Sequence, residues 1–412
     1  MRLAKVVLDA LTTRGRSFIA AGFTAVACAF LLGEQELLRA GLLVLVLPLF
    51  SVFAVSRTRY RLACARRLGP SRLPVGHEAR ADVRLENVSR LPSGLLLVED
   101  RVPYTLGGRA RFVLDRIEPL GSRELSYRLR SDVRGRFKVG PLTVRLADPF
   151  GLVELARAFS LTDTLTVTPL TVELPPGSIP GAWHGEGQSL ARTLSTAGED
   201  DVTPREYRRG DDLRRVHWRS TARYGELMVR REEQEWQSRA ILLLDTRRAA
   251  HTGEGPGSSF EQAVSVAASV GIHLAREGLP LRFVTDAGRS ADLSAGSGSA
   301  SGDELLDVLA VIGQSDDTAL LPGLAAVRGS GRDGEALIVG IFGRLTAEEA
   351  RSVAAARRGT AIGVAVLLGR DQRTDGDAAG FLRGAGWRVL ALSSVAELPA
   401  AWAGVQGVPG AQ

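Results

Sequence analysis

Two uninterrupted apolar runs open the chain: residues 17–33 and 40–56 contain no charged side chain. Each approaches the roughly 20 residues that a bilayer-spanning helix needs. Neither has a polar face, so the pattern predicts two membrane-spanning helices within residues 1–56. Leu37 and Leu38 lengthen the second, with Arg39 able to snorkel, and Pro48 is tolerated in lipid. Only Gly33-Glu34-Gln35-Glu36 separates the runs, which predicts a tight hairpin. A cleaved leader is the alternative, since Ala27-Cys28-Ala29 imitates a small-residue cleavage site. Against it, 16 residues precede the first run and a second run follows at once.

The period then changes to two. Val83 and Leu85 alternate with Arg84 and Glu86; Leu125, Tyr127 and Leu129 with Ser126, Arg128 and Arg130; Leu142, Val144 and Leu146 do the same. Turn signals at Pro92-Ser93-Gly94, Leu106-Gly107-Gly108, Leu120-Gly121-Ser122 and Arg134-Gly135 divide the runs. Short strands at this spacing predict a β-rich, β-sandwich-like domain over residues 57–172. Residues 173–197, with Pro175-Pro176-Gly177 and Pro180-Gly181, read as a linker, and residues 198–235 as a separate charged segment. From residue 236 to 404 the pattern is α/β. Strands are expected at 240–244, 281–285, 336–342, 361–368 and 387–390. Helices are expected at 260–276, 304–312 and 346–357, with one more closing at 381–384. The Ser/Gly/Ala-rich stretch 292–302 reads as a mobile loop, and 405–412 as a tail. This alternation implies a doubly wound parallel sheet, and the whole a multidomain protein.

Charge sharpens the membrane reading. The chain carries +6 overall, but residues 1–67 hold ten basic and three acidic side chains, against 42 and 43 in the remainder. The basic residues flank the apolar runs: Arg2, Lys5, Arg14 and Arg16 before, Arg57, Arg59, Arg61, Arg66 and Arg67 after, with two glutamates in the connection. The positive-inside rule puts both flanks, and hence the soluble part, in the cytoplasm. A near-neutral remainder lacks the basic face that nucleic-acid binding requires. Two cysteines, Cys28 and Cys64, make no disulfide framework or thiolate zinc site.

Motifs for chemistry are mostly missing. Neither lysine, Lys5 nor Lys138, lies in a P-loop. His77, His184, His217, His251 and His273 show no metal-ligand spacing. Gly187-Gln188-Ser189-Leu190-Ala191 lacks the last glycine of a nucleophile elbow. No catalytic, cofactor or metal residue is assigned. Asp245 does sit at the end of a parallel strand, where open α/β sheets bind ligands. Arg247 and Arg248 follow and oppose a cation, so a salt-bridged Asp245 is the expected reading.

The segment 198–235 is half charged, with nine arginines against ten acids. Gly210-Asp211-Asp212 is a turn signal. Leu213 and Val216 give an apolar stripe with Trp218 beside it. Solvated ion pairs would explain the charges, but Tyr207 and Trp218 among arginines are what protein-binding hot spots use.

This segment resembles a known family. Arg205-Glu206-Tyr207, Gly210-Asp211, Arg214, Trp218, Ala222-Arg223 and Leu227 are similar to the signature of the domain-of-unknown-function 58 family. Arg134-Gly135, Gly140-Pro141 and Asp148-Pro149-Phe150-Gly151-Leu152 also match its pattern, as does the domain order. The resemblance implies a C-terminal domain similar to von Willebrand factor A. It also implies association with MoxR-type AAA+ ATPases and transglutaminase-like membrane proteins, and an accessory role rather than catalysis. Such domains often build a metal site on D-x-S-x-S; the matching positions here are Asp245, Arg247 and Ala249, so no metal and no cofactor is implied.

The expectation is therefore a membrane-anchored, non-enzymatic scaffold or adaptor contacting membrane lipid and docking a cytoplasmic partner. The residues expected to serve are Arg205, Glu206, Tyr207, Gly210, Asp211, Asp212, Arg214, Trp218, Ala222 and Arg223. Trp218 is expected to pack at a domain junction. The competing reading makes 198–235 an anion or envelope-substrate site of an enzyme or ligand-binding protein.

Overall fold

The computed structural model describes residues 11–57, 62–90, 92–147, 150–177, 204–207, 218–230, 239–293, 298–329, 335–357, 361–369 and 372–406. They divide into two compact units, Met1–Pro169 and Leu170–Gln412.

The first unit begins with α1 (Thr13–Leu32) and α2 (Gln35–Arg57). Thr12 caps α1 by accepting from the Gly15 N–H at 3.1 Å, and Gly33, at φ 70°, ends it in the left-handed region. Both helices are long and apolar enough to cross a membrane; 20 residues at about 1.5 Å each span roughly the 30 Å hydrocarbon core. Phe23, Phe30, Leu43 and Phe50 face outward. The helices pack on glycine: a Cβ at Gly22 would lie 2.7 Å from Leu45 Cγ, and one at Gly41 2.9 Å from Val26 Cγ2. Small residues at such contacts let backbones approach where no hydrophobic force acts between helices.

Three sheets follow. The first orders β1 (Leu62–Gly69), β3 (Glu78–Asn87) and β6 (Ser122–Arg130). The second orders β2 (Arg72–Pro74), β10 (Asp163–Thr168) and β7 (Gly135–Val139). The third orders β5 (Ala110–Leu114), β4 (Leu96–Asp100), β8 (Leu142–Ala147) and β9 (Glu154–Phe159). β3 alternates strictly, burying Ala79, Ala81, Val83, Leu85 and Asn87. Its first half joins Leu129, Val139, Leu165 and Val167 in one apolar cluster. Its second half joins Leu96, Val98, Val144 and Leu146 in another.

Arg66 ties the sheets together. Its side chain, 1% exposed, donates from Nη1 to both Asp100 oxygens at 2.8–2.9 Å and from Nε to Asp163 at 2.6 Å. From Nη2 it donates to the Val139 and Leu161 carbonyls at 2.8 and 2.9 Å. This corrects the sequence reading, which counted Arg66 among the charges flanking the membrane: it is a buried staple on β1. Gly140, at φ 107°, leaves room for that guanidinium, since a Cβ there would lie 2.8 Å from Nη2. Tyr127 donates to Asp100 at 2.7 Å; burial first, and that carboxylate second, push its phenol up.

The second unit holds one six-stranded sheet in the order β15-β14-β13-β16-β17-β18. The strands are β13 (Arg239–Leu244), β14 (Leu281–Thr285), β15 (Ser290–Leu293), β16 (Glu335–Phe342), β17 (Ile362–Leu368) and β18 (Arg388–Leu392). Only the β14–β15 pair is antiparallel. Ala240, Leu242 and Leu244 face α4 (Ser259–Arg276), α5 (Gly298–Val311) and α9 (Leu398–Gln406). Ile241 and Leu243 face α6 (Leu321–Gly329), α7 (Ala347–Ala354) and α8 (Gln372–Gly384). β13 is thus buried on both faces, which is why it reads as a continuous apolar run.

The loop expected over 292–302 is corrected at both ends, where β15 runs to Leu293 and α5 begins at Gly298; residues 294–297 lie outside the described residues. Pairing with β14 and burial of Leu293, Leu305 and Leu309 override the flexible composition. Residues 170–177 lie against this unit. The Val172 N–H donates to Ser269 Oγ at 3.0 Å, and Gln406 Nε2 to the Pro175 and Gly177 carbonyls at 3.1 and 2.6 Å.

Candidate functional site

The charged signature folds around a short antiparallel pair, β11 (Pro204–Glu206) and β12 (Met228–Arg230), with Arg205 opposite Val229. The Tyr207 N–H extends it by donating to the Leu227 carbonyl at 2.8 Å. α3 (Trp218–Tyr224) ends where the Gly225 N–H donates to the Thr221 carbonyl at 3.0 Å. Thr221 Oγ1 in turn accepts the Met228 N–H at 3.0 Å, tying helix to strand. The structure therefore brings Arg205, Glu206 and Tyr207 beside the strand that follows Trp218, Ala222 and Arg223. Gly210, Asp211, Asp212 and Arg214, and the stripe residues Leu213 and Val216, lie outside the described residues. Tyr207 is half-buried, and Ala222 and Arg223 are exposed. Trp218, expected to be packed, is 71% exposed; Tyr224 and Leu227 are exposed as well.

The second locus is the carboxyl end of β13, next to β16, where the sheet's strand order reverses. Asp245 is fully buried there and Arg247 nearly so. Asp245 Oδ1 accepts from Arg247 Nε at 2.9 Å and from its backbone N–H at 3.1 Å, while Oδ2 accepts from Nη2 at 2.8 Å. Nη1 donates to Glu349 Oε1 and to the Thr318 carbonyl. Glu349 comes from a capping box on α7: its other oxygen accepts the Thr346 N–H at 2.8 Å and the hydroxyl at 3.0 Å. Burial opposes the Arg247 charge, but Asp245 and Glu349 outweigh it and hold the guanidinium above its ordinary value. Burial likewise raises Glu349, and the Thr346 N–H with Arg247 more than reverses this, leaving its carboxyl below the usual value.

Beside this triad, Asp286 accepts the Thr246 N–H at 2.8 Å, the Thr246 hydroxyl at 2.5 Å and the Ser315 hydroxyl at 3.3 Å. His251 Nε2 lies 2.8 Å from the Asp245 carbonyl. A carbonyl can only accept, so Nε2 carries the proton and Nδ1 faces Ser259 Oγ at 3.2 Å. The salt-bridged reading of Asp245 holds. The sequence reading missed Glu349, Asp286 and Ser315. The capping box was the one available signal, and it announces a helix start rather than a second partner. A cation at Asp245 would have to displace the guanidinium. Among the described residues no group of three or more His, Cys, Asp or Glu side chains is placed to hold a metal.

The signature lies in a stretch that matches a family without assigned activity: residues 203–373 match the family described as Protein of unknown function DUF58. The chain is also similar to a curated protein, Uncharacterized protein YeaD of Bacillus subtilis (strain 168). The two are 27% identical over 226 residues, covering 50% of this chain and 51% of that protein. The chain thus spans about half the length of the curated relative it matches. Among solved structures, the CARDB domain of the PF1109 protein from Pyrococcus furiosus aligns at 14% identity and a TM-score of 0.20, covering 26% of this chain and 93% of that one. Spo0M, the sporulation control protein from Bacillus subtilis, aligns at 13% and 0.16, covering 26% and 49%. Similarities this distant carry no functional argument.

Proposed function

We propose that the protein is a membrane-anchored, non-enzymatic scaffold whose soluble units face the cytoplasm and dock a protein partner, a MoxR-type AAA+ ATPase by the family's associations. The observation that carries this reading is the exposed Trp218, with Tyr224, Leu227 and Arg223 within the same short signature. Trp, Tyr and Arg dominate protein-binding hot spots. Two features support it. Arg247 consumes the charge of Asp245, which favours a non-catalytic α/β unit. We read that unit as von Willebrand factor A-like, from its strand order and the apolar clusters on its two faces, and the β unit as sandwich-like, from its strand order and its own two apolar clusters. The basic flanks of the hairpin support the cytoplasmic orientation.

The test uses the full chain in detergent, with a binding isotherm for the ATPase with and without ATP beside a melting curve. Arg223→Ala and Trp218→Ala should each weaken binding by about 2 kcal/mol or more and leave melting nearly unchanged, because both side chains are exposed. Losses of binding and stability in proportion would make the segment a clamp instead. Turnover of a small envelope substrate would favour the enzyme reading. For orientation, a C-terminal reporter active only outside the cytoplasm should stay silent; strong activity overturns the assignment.

A further inference from the structure

The turn between β8 and β9 is seated on the foot of the helical hairpin. The Thr12 N–H donates to the Leu152 carbonyl at 3.0 Å, and the Thr12 hydroxyl lies 2.7 Å from the Gly151 carbonyl. Leu11 bridges to Val153. Gly15 lies so close that a Cβ there would overlap the Leu152 carbonyl. Leu11, Leu152 and Val153 form a buried cluster with Ile19, Leu47 and Val52 packed against it. The turn therefore reaches beyond the level of Arg14 and Arg16. Ile19 lies six positions past the first residue of α1, a rise of about 9 Å. At the tip, Phe150 is 58% exposed, and the Arg14 guanidinium lies 3.8 Å from where a Gly151 Cβ would be.

We propose that this turn is a third point of membrane contact, with Phe150 lying in the phospholipid headgroup layer on the β-unit side and Arg14 beside it among anionic headgroups. The inference rests on reading α1 and α2 as membrane-spanning. If their apolar stretches fill the hydrocarbon core, a turn packed against Ile19 and Leu47 cannot stand clear of the surface. An aromatic ring beside a basic side chain is what that interface takes up. Phe150, Gly151 and Leu152 then act as a foot that fixes the height of the β unit above the bilayer.

The test uses the full chain with Cys28 and Cys64 replaced by alanine, reconstituted in phosphatidylcholine–phosphatidylglycerol vesicles. Single cysteines from Phe150→Cys, Phe23→Cys and Tyr104→Cys carry an environment-sensitive dye, read with lipids bearing a shallow quencher. Tyr104, 91% exposed, follows the end of β4 opposite the turn, because Asp100 pairs with Leu142. The expected result is loss of emission at 150 and 23 but not at 104. Loss at 23 with none at 150 overturns the foot and leaves the spans standing; loss at none of the three overturns both. Phe150→Trp, which keeps an aromatic ring, gives a second reading: its added emission over wild type should be quenched by brominated lipid, and unquenched emission overturns the proposal.

Discussion

Arg247→Met removes the guanidinium but keeps much of the stem's volume. Asp245 would then remain fully buried, losing Nε at 2.9 Å and Nη2 at 2.8 Å and keeping the residue-247 N–H. Breaking a buried ion pair from one side costs about 3–5 kcal/mol, because the remaining charge is uncompensated. For a unit of this size each kcal/mol lowers the melting temperature by about 2–4 °C, so a fall of roughly 6–20 °C is expected. Trp387 and Trp402, buried in the two apolar clusters of the sheet, report the transition by fluorescence in the full chain. The double variant Asp245→Asn with Arg247→Met removes the orphaned charge and keeps an acceptor for the residue-247 N–H. It should recover most of the loss, as apolar or neutral replacements of buried pairs do. An Arg247→Met variant within about 1 kcal/mol of wild type, the range of a surface pair, would refute the argument. So would a double variant as unstable as the single.

Glu349 sits below its ordinary pKa, so its contribution is complete above about pH 4.3 and is lost as pH falls through the folded value. The stability gap between wild type and Glu349→Gln should be flat above about pH 5 and should close on further acidification; a gap that widens in acid contradicts the assignment. Burial lowers the pKa of His273, which packs edge-on against Trp402. Its neutral form thus contributes stability above about pH 6.5 that is lost as pH falls, and His273→Gln should flatten that slope in pH-dependent melts. Gly41→Leu should loosen the helical hairpin by about 1–3 kcal/mol, as overpacking does, since Val26 Cγ2 stands 2.9 Å from the new Cβ. Circular dichroism during titration with a denaturing detergent reads it, and an unchanged midpoint would show that the helices do not pack there.

Legibility followed sequence distance. On β1, Leu62, Cys64, Arg66 and Leu68 occupy one half-buried row, so the alternation already aims Arg66 inward. Its charge nevertheless reads as a membrane flank, because Asp100 and Asp163 lie 34 and 97 residues away. The two ends of the stretch 292–302 read as loop for a related reason. Alanine favours a helix while glycine and serine favour turns, so the composition there is mixed, and a strand partner plus a buried leucine row decided the outcome. In the signature, Tyr207 and Trp218 were visible as aromatics among charges. That Trp218 stays outside any core depends on the surrounding packing rather than on its neighbours in sequence.

What the sequence by itself determined is whatever one element settles alone. It determined the length and apolarity of α1 and α2, the alternation of β3, the two-sided burial of β13 and the Thr346–Glu349 capping box. In each, a residue's fate depends on its own periodicity and on neighbours within a turn or two. The tertiary structure alone decided which charges became internal. Asp245 and Arg247 are adjacent enough to suggest a pair, but Glu349, 102 residues from Arg247, closes the triad only because β13 and β16 lie side by side in the sheet. The same holds for the β8–β9 turn, whose seat on Thr12 and Gly15 joins residues about 140 positions apart. Burying a charge or seating a turn depends on the free energy of a whole packed neighbourhood, and only the folded chain assembles one.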